Sequence, residues 1–441
     1  MNTYAGIVIT ASHNPPEYNG IKIYSEDGGQ MPLEMADVIT SYINQVENEL
    51  LIPVVEYETL LKTGLLQMIG EEFDKAYLAA LDTVQLRKNT KSDMKIVFTP
   101  LHGTAYHLVP AGLKRFGFEN IILVDEQMTP DPEFSTVVSP NPEEHAAFEY
   151  AIRYGKQHDA DLLLATDPDA DRLGVAVKNA EGQYVVLTGN QTGALMLHYI
   201  LEQKKQAGTL SENGVVLKTI VTSEIGRVIA KEYGIETIDT LTGFKFIGEK
   251  IKEFEEQSSH KFLFGYEESY GYLIKEFSRD KDAVQAAVFI AEVSAYYHGQ
   301  GTTLYEALLN LMDCYGYYQE DLISLTLKGK DGANQIQEMM DQVRQSPLEE
   351  VAGKKVVMIE DYLVGQRKDL INDETSYIDL PTSNVLKLYL EGDAWVTLRP
   401  SGTEPKIKFY FSVKEETLSS SIKVLKKLKE EFMNIIQGVT I

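Results

Sequence analysis

The stretch LLLATDPDADR at residues 162–172 joins an apolar run to three alternating carboxylates. The four apolar residues from Leu162 to Ala165 predict a short strand that is buried on both faces, as in a parallel sheet covered by helices. Ligands of such sheets bind at the carboxyl ends of the strands. The loop from Thr166 to Arg172 is therefore a candidate functional site.

Asp167, Asp169 and Asp171 alternate along this loop, and alternate residues of an extended chain point the same way. Convergent carboxylates repel one another unless a cation lies among them. Mg²⁺ suits a site that has few protein ligands and shares a phosphate oxygen. An EF-hand loop begins with the same spacing, but its glycine position is Arg172 here and its glutamate position is Lys178. A solvated acidic turn remains the alternative.

The segments around this loop alternate between strand and helix patterns, which favours mixed, mostly parallel sheets covered by helices. Strands are predicted at 94–98, 121–124 and 161–165, and helices at 71–86, 105–116 and 143–158. A third α/β unit follows to about residue 315. Beyond residue 316, antiparallel strands between two helices predict a separate α+β domain. The expected domains are residues 1–69, 70–188, 189–315 and 316–441.

Composition limits the classes of partner. The 441 residues carry 41 basic and 66 acidic side chains, a formal charge of −25. Such a surface repels nucleic acid and anionic lipid, so we expect neither as a partner, and no transmembrane segment is predicted. The single cysteine, Cys314, fits a reducing cytoplasm and is expected to be a core thiol.

A second loop, TASHNPP at residues 10–16, follows an apolar run from Tyr4 to Ile9 that predicts a strand. The turn after this strand would expose the hydroxyl of Ser12. If the chain folds back, Lys22 comes close to that hydroxyl as a charge partner or proton donor. For this motif alone, a polar turn without function is the alternative.

Two further loops carry groups that suit a sugar phosphate. GYEESYG at 265–271 places carboxylates and aromatics after a strand, where they can hold sugar hydroxyls. RPSGTEPK at 399–406 offers backbone N–H groups, hydroxyls and a guanidinium to a phosphate. Each loop in isolation is equally compatible with an ordinary turn. The loops LHGT at 101–104 and LTGFK at 241–245 are weaker candidates.

Together these loops resemble the α-D-phosphohexomutase family, because four motifs occur in that family's order over essentially the whole chain. The resemblance implies three related α/β domains and a smaller C-terminal α+β domain around a central cleft. It implies that Ser12 carries a transferable phosphate, that Lys22 is the acid/base lysine and that Mg²⁺ is bound by a phosphoserine oxygen and the three aspartates. The residues that it assigns to the substrate are Arg172, Thr242, Gly243, Glu267, Ser269, Lys281, Arg399, Ser401, Gly402 and Thr403.

His13 follows Ser12 directly and is included with the catalytic group. Its side chain is expected to point away from the hydroxyl and to support the loop. Members of the family carry a sizeable segment before the serine loop, so this chain is expected to lack the N-terminal part of the first domain.

The expected reaction is interconversion of the 1- and 6-phosphates of glucose through a hexose 1,6-bisphosphate intermediate. Mannose phosphate or an aminosugar phosphate is the alternative substrate. A truncated, inactive sugar-phosphate binder is the alternative function.

Overall fold

The computed structural model describes residues 3–88, 92–327, 330–402 and 405–439. Its strands are β1 (Gly6–Ile9), β2 (Ile21–Tyr24), β3 (Ile96–Thr99), β4 (Ile121–Leu123), β5 (Leu162–Thr166), β6 (Leu173–Lys178), β7 (Tyr184–Leu187), β8 (Gly214–Thr219), β9 (Glu236–Thr240), β10 (Lys261–Tyr266), β11 (Tyr272–Leu273), β12 (Tyr317–Thr326), β13 (Glu350–Val351), β14 (Lys354–Asp361), β15 (Gln366–Asp369), β16 (Glu374–Tyr377), β17 (Leu386–Leu390), β18 (Ala394–Pro400) and β19 (Lys406–Glu415).

Its α-helices are α1 (Leu33–Ile43), α2 (Tyr57–Thr63), α3 (Glu71–Leu81), α4 (Leu108–Arg115), α5 (Glu149–His158), α6 (Gly189–Gln206), α7 (Ile225–Glu232), α8 (Phe244–Gln257), α9 (Ala283–His298), α10 (Leu304–Tyr315), α11 (Lys330–Gln345) and α12 (Leu418–Val439). Within the described residues, no helix combines the length and the apolar character that a membrane span requires.

The chain divides into two units. The first comprises Met1–Leu217 and Gly243–Tyr305, and the second comprises Lys218–Thr242 and Glu306–Ile441. The four expected domain boundaries stay a prediction.

A five-stranded sheet in the first unit has the order β4-β3-β5-β6-β7. Strands β4 and β5 run parallel to β3, whereas β6 and β7 are antiparallel to their neighbours, so the sheet is mixed. Leu162 to Ala165 are fully buried, which confirms the strand predicted before the acidic loop. That loop therefore leaves the sheet beside Thr99, the last residue of β3 and the parallel partner of Ala165.

The N-terminal residues of the first unit form the antiparallel hairpin β1-β2, in which Val8 pairs with Lys22. The hairpin and the helices after it bury few apolar side chains. Ile9 is 74% exposed and Ile21 is 62% exposed, and α1 has no buried residue.

Strand β8 crosses the division between the units at Leu217 and Lys218. Within the first unit, β10 pairs antiparallel with β11. Within the second unit, the N–H of Ile220, just after β8, donates to the carbonyl of Thr240 in β9 at 2.9 Å.

The C-terminal part of the second unit is one antiparallel sheet of order β12-β19-β18-β17-β14-β15-β16, with β13 added to β14. Helices α11 and α12 pack on it around buried residues such as Leu388, Phe409 and Phe432. This arrangement confirms the expected α+β class.

Three local expectations were wrong. The helix predicted at 143–158 begins only at Glu149, after a 3₁₀ turn at His145–Phe148. The helix predicted at 71–86 ends at Leu81, because the next N–H groups, those of Asp82 to Val84, donate to carbonyls only three residues back. Further along, the N–H groups of Leu86 and Arg87 donate to the carboxylate of Glu292. Cys314 is exposed and is not a core thiol. It lies off the apolar face of α10, whose buried residues are Leu304, Ala307, Leu308, Leu311 and Met312.

Candidate active site

Ser12 lies on a tight turn after β1. The N–H of Thr10 donates to the carbonyl of Gly20 at 3.0 Å, which closes the loop, and the N–H of Ser12 donates to Thr10 Oγ1 at 2.8 Å. Ser12 itself has a φ of +52°, a left-handed conformation that is uncommon for a residue other than glycine. Strained backbone of this kind is frequent at functional sites.

The Ser12 hydroxyl has two polar neighbours. Its Oγ donates to Asp167 Oδ2 at 3.0 Å and lies 3.1 Å from His13 Nδ1. The expectation that the His13 side chain points away from the hydroxyl is therefore wrong. The left-handed turn at Ser12 brings the imidazole back onto Oγ, although the two residues are adjacent in sequence.

The acidic loop is held in shape by its own first carboxylate. Asp167 Oδ1 accepts the N–H groups of Asp171 at 3.0 Å and Arg172 at 2.9 Å, and Ala170 has a φ of +58°. One carboxylate oxygen from each of Asp167, Asp169 and Asp171 lies within 4.8 Å of the others. The alternation of the three aspartates thus predicted correctly that their carboxylates lie close together. The loop is a turn, however, and not the extended segment on which that prediction was based.

These carboxylates fit a divalent cation. Asp169 Oδ1 and Asp171 Oδ1 are buried and accept no hydrogen bond within the described residues. Burial, reinforced by Asp171 and Asp169, raises the pKa of Asp167 well above its usual range. Oxygen atoms crowded in this way are the ligand set that hard dications prefer.

Two lysines contact the same cluster. Lys22 Nζ lies 2.8 Å from Asp169 Oδ2 and 2.6 Å from Asp171 Oδ2, and Lys281 Nζ lies 2.7 Å from Asp171 Oδ2. Burial acts to raise the pKa of Asp171, but Lys281, Lys22 and Arg172 outweigh it and hold that pKa well below the usual range. Asp171 is thus charged whereas Asp167 retains its proton more readily.

The loop at residues 101–104 packs against the acidic loop and supports it. This contact was not predicted from the sequence. Thr104 donates its N–H to the carbonyl of Pro168 at 2.8 Å. A Cβ on Gly103 would lie 2.3 Å from Pro168 Cα, so only glycine allows the two backbones to approach this closely. Leu101 and His102 both have positive φ angles, which bend the chain toward this contact.

Glu267 is buried at the end of β10. Its Oε1 accepts the N–H of Gly243 at 2.9 Å, and Gly243, with a φ of +115°, precedes helix α8. Burial, opposed in part by Lys281, raises the pKa of Glu267 to about 7. A Cβ on Gly271 would meet Lys281 Cδ at 2.7 Å and Glu267 Oε2 at 3.4 Å, so the two charged side chains flank this glycine.

Backbone bonds join the acidic loop to the loop at 265–271. Arg172 and Gly271 form an antiparallel bridge, and Leu173 N–H donates to the carbonyl of Tyr270 at 3.0 Å. The guanidinium of Arg172 pairs with Glu143. The first unit therefore brings the serine loop, the acidic loop and the loop that contains Glu267 into one connected group.

The remaining assigned residues are distributed as follows. Ser269 lies half-buried in the turn after Glu267. Thr242, Arg399, Ser401 and Gly402 belong to the second unit, where Ser401 N–H donates to the carbonyl of Lys406 at 2.7 Å. Thr403 lies outside the described residues. The roles of all these residues stay predictions.

No role was assigned from the sequence to three residues around the site: Tyr24, Asp280 and Glu143. Tyr24 donates its hydroxyl to Asp280 Oδ2 at 2.9 Å, and Glu143 pairs with Arg172. One signal in the sequence pointed to Tyr24: it is two residues from Lys22 and so lies on the same side of a strand. The pairing of Tyr24 with Asp280 and of Glu143 with Arg172 depends on long-range contacts.

Three family models match the chain in order. Their descriptions are phosphoglucomutase/phosphomannomutase alpha/beta/alpha domains I, II and III, and they cover residues 1–50, 75–182 and 188–315. The phosphoglucomutase of Staphylococcus aureus strain MRSA252 is 40% identical over 416 residues, which are 94% of this chain and 73% of that protein. This chain belongs to the phosphoglucomutase/phosphomannomutase family. The family resemblance drawn from the four motifs is thereby confirmed.

Solved structures share the fold of this family member at low identity. The open form of the phosphoglucomutase parafusin from Paramecium matches with a TM-score of 0.66 and 18% identity, over 99% of this chain and 77% of that one. The N-acetylphosphoglucosamine mutase of Aspergillus fumigatus, solved with GlcNAc-6P and magnesium, matches with a TM-score of 0.58 and 14% identity. The match covers 98% of this chain and 89% of that one.

Proposed function

We propose that this chain interconverts glucose 1-phosphate and glucose 6-phosphate through a phosphorylated Ser12. The observation that carries the proposal is the position of Ser12 Oγ, 3.0 Å from Asp167 Oδ2 at the edge of three convergent carboxylates. The 40% identity to a phosphoglucomutase supports glucose as the hexose. The reaction class is that of an isomerase that works by phosphoryl transfer.

The transfer runs in two steps. Phospho-Ser12 donates its phosphoryl group to the free hydroxyl of the hexose phosphate. The bond from phosphorus to Ser12 Oγ breaks as the bond to the hexose oxygen forms, the hydroxyl loses its proton and Ser12 Oγ gains one. The product is a hexose 1,6-bisphosphate, which returns its other phosphoryl group to Ser12 and leaves the isomeric monophosphate. Such transfer depends mainly on positioning and on stabilising charge, and needs no nucleophile-base triad.

We assign the proton transfer to Lys22. Its ammonium lies at the carboxylate cluster that Ser12 also contacts, so it can donate a proton to the departing Ser12 Oγ, and the amine that results can accept the proton of the sugar hydroxyl. His13 Nδ1, 3.1 Å from Ser12 Oγ, orients that hydroxyl. Glu267, oriented by the Gly243 N–H, and Ser269 hold sugar hydroxyls.

Asp167, Asp169 and Asp171 would hold Mg²⁺ together with an oxygen of phospho-Ser12. A bound dication would offset negative charge on the transferring group. The Aspergillus relative was solved with magnesium, which supports this choice of metal.

Arg399, Ser401, Gly402 and Thr403 are the residues we assign to the phosphate that is not transferred, with Lys281, Arg172 and Thr242 as further substrate contacts. The positive charges of Arg399, Lys281 and Arg172 would thus bind an anionic substrate, although the formal charge of the whole chain is −25. A cytoplasmic location is part of the proposal, because hexose phosphates are cytoplasmic metabolites and the chain has one cysteine.

The test compares glucose, mannose and N-acetylglucosamine 1-phosphates as substrates, each with Mg²⁺ and a trace of the matching bisphosphate. We expect the fastest turnover with glucose 1-phosphate and phosphate on Ser12 by mass spectrometry. Ser12→Ala should abolish both, whereas Ser41→Ala, in the exposed part of α1, should change neither. Binding of hexose phosphate without turnover or Ser12 phosphorylation would instead identify a sugar-phosphate binder.

A further inference from the structure

The side chain of Tyr24 has no part in the proposed transfer, yet it lies beside Lys22. Both residues belong to β2, and residues two apart in a strand point to the same side. Tyr24 is the last residue of that strand. Its hydroxyl donates to Asp280 Oδ2 at 2.9 Å, a residue 256 positions later in the chain.

The contacts of Asp280 lead back to Lys22. Asp280 Oδ1 accepts the N–H of Lys281 at 2.9 Å and lies 3.5 Å from Lys281 Nζ. Lys281 Nζ lies 2.7 Å from Asp171 Oδ2, which Lys22 Nζ approaches to 2.6 Å. The contacts from Tyr24 through Asp280, Lys281 and Asp171 thus form a ring that closes on Lys22.

The hairpin that carries Lys22 has little other support. Among the described strands, β1 and β2 pair only with each other; beyond the hairpin, Tyr24 bridges to Gln30 and the Ile23 carbonyl accepts the N–H of Met31 at 2.9 Å. A two-stranded hairpin alone is marginally stable in water. The opposite side of β2 offers Ile21, which is 62% exposed. Beyond the strand, Asp27 pairs with Lys252 at 3.0 Å. Polar anchors therefore determine where the end of β2 lies.

We propose that Tyr24 is a positioning residue for Lys22. The Tyr24 hydroxyl fixes the end of β2 on Asp280, and this holds the ammonium of Lys22 at Asp169 and Asp171. The effect on turnover rests on the proposed function, but the effect on the position of Lys22 does not. A displacement of a catalytic group by about 1 Å can cost up to 10²-fold in rate.

The first test measures the position of Lys22 without turnover. Wild type, Tyr24→Phe and Tyr199→Phe are treated briefly with acetic anhydride, and acetylation of each lysine is measured by mass spectrometry. Tyr199 is the matched control, since its hydroxyl also donates to a carboxylate, Glu292 Oε1, at 2.8 Å. We expect Lys22 to react several-fold faster in Tyr24→Phe alone, relative to the exposed Lys62. An unchanged rate at Lys22 in Tyr24→Phe would overturn the inference.

The second test measures turnover. Loss of one hydrogen bond in Tyr24→Phe should lower kcat by roughly tenfold and leave the KM for glucose 1-phosphate unchanged. In a Lys22→Met background, the same substitution should cause no further loss, because it acts through Lys22. Equal losses in both backgrounds would show a general structural role and overturn the inference. Absence of turnover in the wild type would defeat the proposed function, and the acetylation result would still decide the position of Lys22.

Discussion

Lys22 Nζ lies 2.6 Å from Asp171 Oδ2, although the two residues are 149 positions apart in the chain. The contact joins the first hairpin to the acidic loop and pairs the proposed proton carrier with a proposed metal ligand. Burial acts to lower the pKa of Lys22, but Asp171 and Asp169 outweigh it and the pKa is raised. Lys22 is therefore held as an ammonium at the site.

Replacing Lys22 with Met should lower kcat by roughly 10²-fold to 10⁴-fold, the usual contribution of a general acid or base. The KM should change little, since the residues proposed to bind the hexose phosphate remain. Steady-state kinetics with glucose 1-phosphate measures both constants. Lys62→Met in the exposed part of α2 is the control, and a Lys22→Met variant as active as that control would remove Lys22 from the mechanism.

Replacing Gly103 with Ala should distort the acidic loop. The new Cβ would lie 2.3 Å from Pro168 Cα, and backbone cannot yield as a side chain does. We expect a loss of about 1–3 kcal/mol in the free energy of unfolding, the usual cost of overpacking, together with weaker Mn²⁺ binding. Urea unfolding and isothermal calorimetry measure the two effects.

Gly70→Ala is the control for this substitution, because nothing lies within 4 Å of a Cβ at Gly70. If Gly103→Ala bound Mn²⁺ as tightly as Gly70→Ala, the contact with Pro168 would have no influence on the acidic loop.

Glu292 should make the stability of the protein depend on pH. Burial raises its pKa to about 7, although the Tyr199 hydroxyl and the N–H groups of Leu86 and Arg87 oppose this. The unfolded chain loses this proton near pH 4.3. Because the folded pKa is the higher one, the contribution is fully present below about pH 4.3 and is lost as the pH rises to about 7.

The contribution of this group to the free energy of unfolding should therefore fall by roughly 4 kcal/mol across that range. Glu292→Gln should remove this contribution and leave that of Glu267, whose pKa is also raised to about 7, whereas Glu256→Gln, on an exposed position, should retain both. Urea unfolding of the three proteins at several pH values is the measurement. If the free energy of unfolding of Glu292→Gln fell with pH as steeply as that of the wild type, groups other than Glu292 would cause the dependence.

Lys218 should be essential to the stability of the second unit. It is fully buried, and its Nζ lies 3.0 Å from Glu224 Oε1 and 3.1 Å from Asp239 Oδ1. Lys218→Met removes one of the two cations that pair with these carboxylates, whereas Arg227, which pairs with both, remains. We therefore expect a loss of roughly 1–3 kcal/mol in the free energy of unfolding. Lys231→Met, on the exposed end of α7, should change it by less than about 0.5 kcal/mol.

Calorimetry of both variants checks this expectation. Equal transition temperatures for Lys218→Met and Lys231→Met would mean that the buried ion pairs contribute nothing net.

Much of the fold could be predicted from local patterns. Helix α4 lies within the helix predicted at 105–116, and β5 follows the apolar run before the acidic loop. The antiparallel strands β6 and β7 were missed, since periodicity alone does not distinguish a short apolar strand from a buried piece of helix. Helix α3 was predicted too long, because nothing local shows that the N–H groups of Leu86 and Arg87 donate to Glu292, which is more than 200 positions away.

The family, the order of its motifs and the candidate groups could be read from residue type and spacing along the chain. Which groups meet depends on the folded chain: Ser12 with Asp167, Lys22 with Asp171, Gly103 with Pro168 and Tyr24 with Asp280. Each of these contacts joins segments that are far apart in the chain. Their distances follow from the pairing of strands and the packing of whole elements, which no local pattern of residues specifies.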